Sequence, residues 1–314
     1  VDVVHALVDV EQATQKAEPD PISPATNLPQ SGPSRAVGII LYLSVGFLLI
    51  LLLGWTVESG ARRILSWAAS STSNWGGGGG QQSGAVSSRQ AEAESLLERL
   101  ASGDSKAANE IFSESDSWIS RTRRTTRANQ LVNVVLNQHD LRLRGAALQA
   151  TLALDGVSRD GDGLNRLEHA VADPNTRAWA LWMLGALGNR GVQQEHIVEI
   201  LKSYLDDSDA RTRSGAVYGL GTVATDETVP MLLDRFRNDT SLVVQESAAA
   251  SLAEAGMYTH EQRMVAAASF VGWLDDALTS PQQKVWAAHA LRDISGRNLG
   301  ANAAAWQQWY SGEH

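Results

Sequence analysis

Asp160-Gly-Asp162-Gly163 alternates two carboxylates with glycine, as the ligand run of a calcium loop begins. Leu164 stands at the third ligand position, however, and no Glu stands at the twelfth, so the segment reads as a turn between helices. The seven histidines, His5, His139, His169, His196, His260, His289 and His314, include no His-x-x-x-His pair and no close carboxylate partner of metalloenzyme type. With no cysteine there is no thiol nucleophile, thiolate metal site or disulfide framework. No G-x-S-x-G elbow is present, and the five consecutive glycines at 76–80 are not followed by the Lys-Ser/Thr of a phosphate loop. No catalytic residue, metal or cofactor is therefore expected, and the chain is not expected to be an enzyme. A net charge of −9 argues against nucleic acid as a partner, because phosphate binding needs clustered Lys and Arg. The one local basic cluster, Arg121-Thr-Arg123-Arg124-Thr-Thr-Arg127, reads either as a solvated connection or as a contact with an anionic surface.

Elements of two kinds must carry whatever function remains. Residues 36–57 run without a charge, and a helix of that length spans roughly 33 Å at 1.5 Å per residue. A bilayer core is about 30 Å thick, so a single transmembrane helix is expected there. Tyr42 and Trp55 lie towards its ends, with Arg35 and Glu58 outside it. A buried core helix and a cleaved signal peptide are the rival readings, the first disfavoured by length and the second by the polar residues ahead of it. Residues 1–35 are acidic and Pro-containing and read as a disordered tail, and 58–90 as a juxtamembrane segment with a Ser/Gly-rich tether. The adjacent Arg62 and Arg63 favour a cytoplasmic position for the remainder of the chain, with the periplasm as the alternative.

Residues 91–314 return to helical periodicity and contain internal copies. Segments beginning at Arg144, Arg177, Arg213, Gln245 and Lys284 lie 33, 36, 32 and 39 residues apart. In the last four, the fourth, fifth and eighth positions are small or apolar, such as Ala180, Leu181 and Leu184, which share a helix face. A second helix-like stretch precedes each copy, for example Leu164–Val171 and Val229–Phe236, and such pairs must stack to bury their apolar faces. Arg177 through Gly188, RAWALWMLGALG, resembles the second helix of HEAT repeats, in particular the bacterial type related to phycobilisome-lyase HEAT-like repeats. The resemblance covers residues 128–295 and implies an all-α fold, an α-solenoid of about five HEAT-like helical hairpins, which follows the single transmembrane helix expected from the uncharged run 36–57. Trp306, Trp309 and Tyr310 share one face of a closing helix and would cap the last repeat, as a solenoid requires. The first copy departs from the pattern, with Thr151 in place of Leu and Asp155 in place of Gly.

Stacking implies two rows. Asp140, Asp173 and Asp209 each precede an Arg by four residues, so Arg144, Arg177 and Arg213 are expected to form a ladder with turn aspartates of their own or the adjoining repeat. The sixth position of each copy carries Gln149, Trp182, Tyr218, Ala250 and His289, a row along one surface. Aromatics with a polar tip are what interfaces use as anchors, so Gln149, Trp182, Tyr218 and His289 are the candidate protein-binding residues, with gap-filling between helices as the rival reading. Function is expected to be that of a membrane-anchored scaffold for a protein partner. A structural subunit of a larger membrane complex, supported by Gly38, Gly46 and Gly54 at eight-residue intervals, is the alternative, and a lyase-like enzyme subunit the third reading.

Overall fold

The structure is a computed structural model and describes residues 85–313. Those residues hold thirteen α-helices and no strand. They pair as six antiparallel hairpins: α1 (Ala85–Ala101) with α2 (Ser105–Glu114), α3 (Thr126–Leu136) with α4 (Leu141–Leu154), and α5 (Gly161–Ala172) with α6 (Arg177–Asn189). The series continues with α7 (Gln194–Ser203) and α8 (Ala210–Val223), α9 (Thr228–Asn238) and α10 (Leu242–Ala250), and α11 (His260–Asp275) and α12 (Pro281–Ser295), and α13 (Ala303–Gly312) closes it. The expected five hairpins are thus six among the described residues. The additional one is α1–α2, and α1 begins at Ala85, inside the stretch expected to be tether. None of the described helices is long and apolar enough to cross a membrane, and the expected span 36–57 lies outside the described residues.

Helix starts are written in the sequence. Asp104, Thr125, Asp140, Asp160, Asp209 and Asn302 each turn a side-chain oxygen onto a free backbone N–H of the following turn. Thr259 with Gln262, and Ser280 with Gln283, close reciprocal capping boxes. Asp160 accepts from the amides of Asp162 and Gly163 and from the Ser158 hydroxyl, so the run expected to be a turn between helices is the cap and first turn of α5. Among the described residues no cluster of His, Asp and Glu is arranged to hold a metal ion.

First and second helices of each hairpin differ in burial, and this sets the curvature. First helices such as α5 and α7 bury a single stripe: Leu164, Leu167 and Val171, then Ile197, Val198 and Leu201. The second helices α4, α6 and α8 are buried nearly all round, α4 from Leu143 to Leu154 without a break. Second helices touch one another along the whole stack, whereas α5, α7 and α9 are not in extended contact with each other. A row of helices held closer on one side than on the other must bend towards the close side. Small residues make that closeness attainable. A Cβ on Gly185 would lie 2.3 Å from the carbonyl oxygen of Gly219 and 2.6 Å from its Cα, and one on Gly215 would lie 2.7 Å from the carbonyl oxygen of Ala178. Helices α6 and α8 therefore cross backbone to backbone. Farther along, Ser214 and Ser247 share a 2.5 Å hydrogen bond between α8 and α10.

The arginine ladder exists, with partners shifted by one repeat. Arg213 grips Asp239 of the next turn through Nε and Nη2 at 2.9 and 2.8 Å and donates to the carbonyl of Asp207. Arg177 lies 3.9 Å from Asp207 of the next turn. The aspartates four residues upstream serve the backbone instead, Asp140 and Asp209 as helix caps and Asp173 on the amide of Asn175. Arg144 leaves the ladder altogether. Asp155, which breaks the repeat pattern, also has a partner, pairing with Arg124 of the basic cluster at 2.8 Å with both side chains almost sealed from solvent. Arg127 pairs with Glu98, so two of the four clustered arginines are committed within the fold.

At the far end, α13 packs on α11. Trp306 is fully buried, meets Trp309 edge to face at 5.5 Å, and donates from Nε1 to the Gly300 carbonyl at 2.8 Å. Deleting residues 296–314 is expected to uncover the apolar face of α11 and drive association, read as concentration-dependent elution in size-exclusion chromatography with light scattering. A truncated chain whose mass stays constant across concentrations would contradict a capping role.

Candidate functional site

The stack curls far enough to touch itself. Arg144, only 2% exposed, donates from Nη1 to the carbonyl of Glu254 at 2.9 Å and from Nη2 to that of Ala255 at 2.6 Å. This joins the second hairpin to the end of the fifth, past α6 and α8. Its chemistry is set by how α10 ends. The last turn widens into a π-helical turn, Ser251–Ala255, closed by the Gly256 amide on the Ser251 carbonyl, and the carbonyls at a helix C-terminus carry partial negative charge. A guanidinium fits that position. Burial pushes the Arg144 pKa down to about 10, with Arg263 adding to the fall and Glu254 opposing it, so the group stays charged at neutral pH. Arg263, on α11, donates to the Gly256 carbonyl of the same turn.

Between the second hairpin and hairpins three to six lies a groove of about 980 Å³. One side belongs to α3, with Gln130, Asn133 and Val134. The floor comes from Arg144 and Leu148 of α4, Trp182 of α6 and Thr222 of α8. The other side is α10, which offers Ala249, Ala250 and Ala253 between Glu246 and Glu254, and α12, which offers Trp286 and His289. The groove is lined by apolar and aromatic surface interspersed with polar groups, and its volume is at the upper end of the range for clefts that bind ligands.

Of the sixth-position row, the groove brings together Trp182, Ala250 and His289. Trp182 and His289 are half-buried there, and burial lowers the His289 pKa, with Arg292 acting in the same direction and Asp293 against it, which favours the neutral ring. Tyr218 lies outside the lining. Its hydroxyl is buried, makes no hydrogen bond of normal geometry and is held protonated by that burial, an effect Ser247 opposes in part. Gln149 corrects the expected row: it is 1% exposed and faces α2, donating to the Phe112 carbonyl at 3.0 Å and to Ser115 Oγ at 2.8 Å. A side chain enclosed between two helices is not on the surface the row was expected to form. Sequence spacing places the residue on the right helix but cannot show that α2 covers it, because α1–α2 lacks the repeated pattern.

Several lining residues carry no periodic signal. Those of α3 belong to a first helix, which an open solenoid keeps away from the inner face; the closure through Arg144 brings them in. Trp286 is visible in the sequence as an aromatic on a second helix, but at the third position of its copy rather than the sixth. Glu246 and Glu254 are hidden within a run of alanines.

These features define the class: a curved stack of helical hairpins with a groove on its inner side. Residues 164–253, which run from α5 into the end of α10, match the family model for HEAT repeats, so this part of the stack is of that kind. No curated protein matches the chain.

Proposed function

We propose that this chain is a membrane-anchored, non-catalytic scaffold that holds a segment of a partner protein in the groove between the second hairpin and α10–α12. One observation carries this reading: a curved helical stack that encloses a groove of about 980 Å³ with Trp182, Trp286 and His289 on its surface. Half-buried aromatics rimmed by polar groups are the composition of binding anchors, and curved repeat stacks present such inner surfaces to extended partners. The match to HEAT repeats supports protein binding in general. The pattern of the second helices supports kinship with the bacterial lyase-like repeats, and with it a bacterial inner membrane. The uncharged stretch 36–57 supports the anchor by its length.

A photo-reactive amino acid at Ala250, introduced into the full chain in native membranes, tests the groove. Light-dependent adducts with a protein, lost when Trp182 is also replaced by Ala, are the expected result. A chain that forms adducts from an outward position such as Arg211 but none from Ala250 would end the proposal. For the anchor, Arg62 and Arg63 support a cytoplasmic position for the repeats. Protease added to spheroplasts is then expected to leave residues 90–314 intact, and digestion of them while a cytoplasmic control survives would reverse the orientation.

A further inference from the structure

The groove's charges are unevenly satisfied. Arg144 is tied to two carbonyls at the floor, and Arg292 pairs with its neighbour Asp293 through Nε at 3.0 Å. Glu246 and Glu254 are different: both are half-buried, both line the groove, and neither side chain makes a hydrogen bond or an ion pair with any described residue. Glu254 acts on Arg144 and Arg263 only through space. Burial alone raises the Glu246 pKa, the signature of a carboxylate that has lost water without gaining a partner. A half-buried anion without a direct partner is costly, and a site that keeps two of them side by side with aromatic rings is suited to a cation that completes them.

The spacing says more. Glu246 and Glu254 are eight residues apart, the first on α10 and the second in the π-helical turn that ends it, which puts them at most about 12 Å apart along the axis at 1.5 Å per residue. Ala249, Ala250 and Ala253 lie between them on the groove surface, so nothing bulky separates the two carboxylates. In an extended chain, which rises about 3.3 Å per residue, side chains four positions apart are separated by about 13 Å and point to the same side, and long Lys or Arg stems can close the small difference to the two carboxylates. A groove of this volume takes a short run of residues rather than a whole folded surface.

Resting on the protein-binding reading, we infer that the groove's occupant is an extended basic segment of the partner, with two Lys or Arg residues four positions apart and small apolar residues between them. The cations meet Glu246 and Glu254, the small residues lie over the alanines, and Trp182, Trp286 and Val134 enclose the segment. The net charge of −9 acts in the same direction by drawing cationic segments to the protein.

Fluorescence anisotropy of labelled peptides on the detergent-solubilised full chain tests this. One peptide contains Lys-Ala-Val-Ala-Lys and its twin Glu-Ala-Val-Ala-Glu, each flanked by Gly and Ser. The lysine peptide is expected to bind and the glutamate peptide not, with affinity falling about tenfold for each of Glu246→Gln and Glu254→Gln, the loss of one charge-assisted contact. Circular dichroism of both variants must match the parent, and Glu246→Asp should retain part of the affinity. Equal binding of the two peptides, no binding of the lysine peptide, or undiminished binding to the double variant would overturn the inference. The photo-adduct from Ala250 keeps this separate from the broader reading: adducts without lysine-peptide binding sink the basic occupant alone, while absence of adducts sinks both.

Discussion

Replacing Gly185 by alanine is expected to destabilise the protein by about 2–3 kcal/mol, although in an isolated helix the same exchange stabilises by about 1 kcal/mol. The new methyl would have to occupy space 2.3 Å from a backbone oxygen and 2.6 Å from a backbone carbon of α8, and backbone cannot swing aside as a long side chain can. The two helices must separate, which loosens the neighbouring contacts of Leu181, Leu184 and Leu220, all fully buried. At about 2–4 °C per kcal/mol for a domain of this size, the melting temperature should fall by roughly 5–10 °C. Gly272 on α11 is the control. A methyl there meets nothing within 4 Å, so Gly272→Ala should raise stability by about 0.5–1 kcal/mol. Melting followed by circular dichroism checks both signs, and a stabilising Gly185→Ala would mean that α6 and α8 do not cross backbone to backbone.

Removing Arg213 should cost more, about 3–5 kcal/mol, because Asp239 would be left as a buried charge without its partner. The two side chains are 11% and 2% exposed, and the guanidinium makes both of its carboxylate bonds inside the stack. The pH dependence separates this from a mere loss of packing. Burial works against the Asp239 charge, but Arg213 and the Ser241 amide outweigh it, so its folded pKa lies below the usual value near 4. A lowered folded pKa contributes stability that is present above about pH 4 and is lost as pH falls through the folded value. In Arg213→Ala the balance reverses: burial then dominates, the pKa rises, and stability is lost as pH rises. Denaturant titrations between pH 3 and 7 are expected to show opposite slopes for the two proteins, and parallel slopes would refute the pairing as the source of the loss.

The repeats from α5 to α12 are legible in the sequence because each second helix carries the same small and large residues at the same offsets, and those offsets are local. Arg213 is legible as a rung because its partner sits one turn onward. Arg144 is not, though it opens its copy just as Arg213 does, because its partners are the carbonyls of Glu254 and Ala255 and no spacing rule relates positions so far apart. Gln149 misleads for a related reason. Its helix face and its polarity are evident, but its burial depends on α2, whose short sequence SKAANEIFSE lacks the repeated pattern. The groove is therefore half legible: Trp182 and His289 from periodicity, and the α3 side only once the curl of the stack is known.

The Arg144 tie also changes how the domain must fold and unfold. A linear array of repeats responds to damage locally, since each unit couples only to its neighbours and the ends can fray while the middle persists. Bonds spanning 110 and 111 residues convert part of that line into a loop, in which the second hairpin and the fifth can only come apart together. Folding then includes one slow, non-local closure after quick local hairpin formation. A ligand seated beside the closure draws on this coupling, because releasing either wall releases the other, and occupancy should protect backbone amides in α3 and α10 from hydrogen exchange to the same extent although the two helices are far apart in the chain.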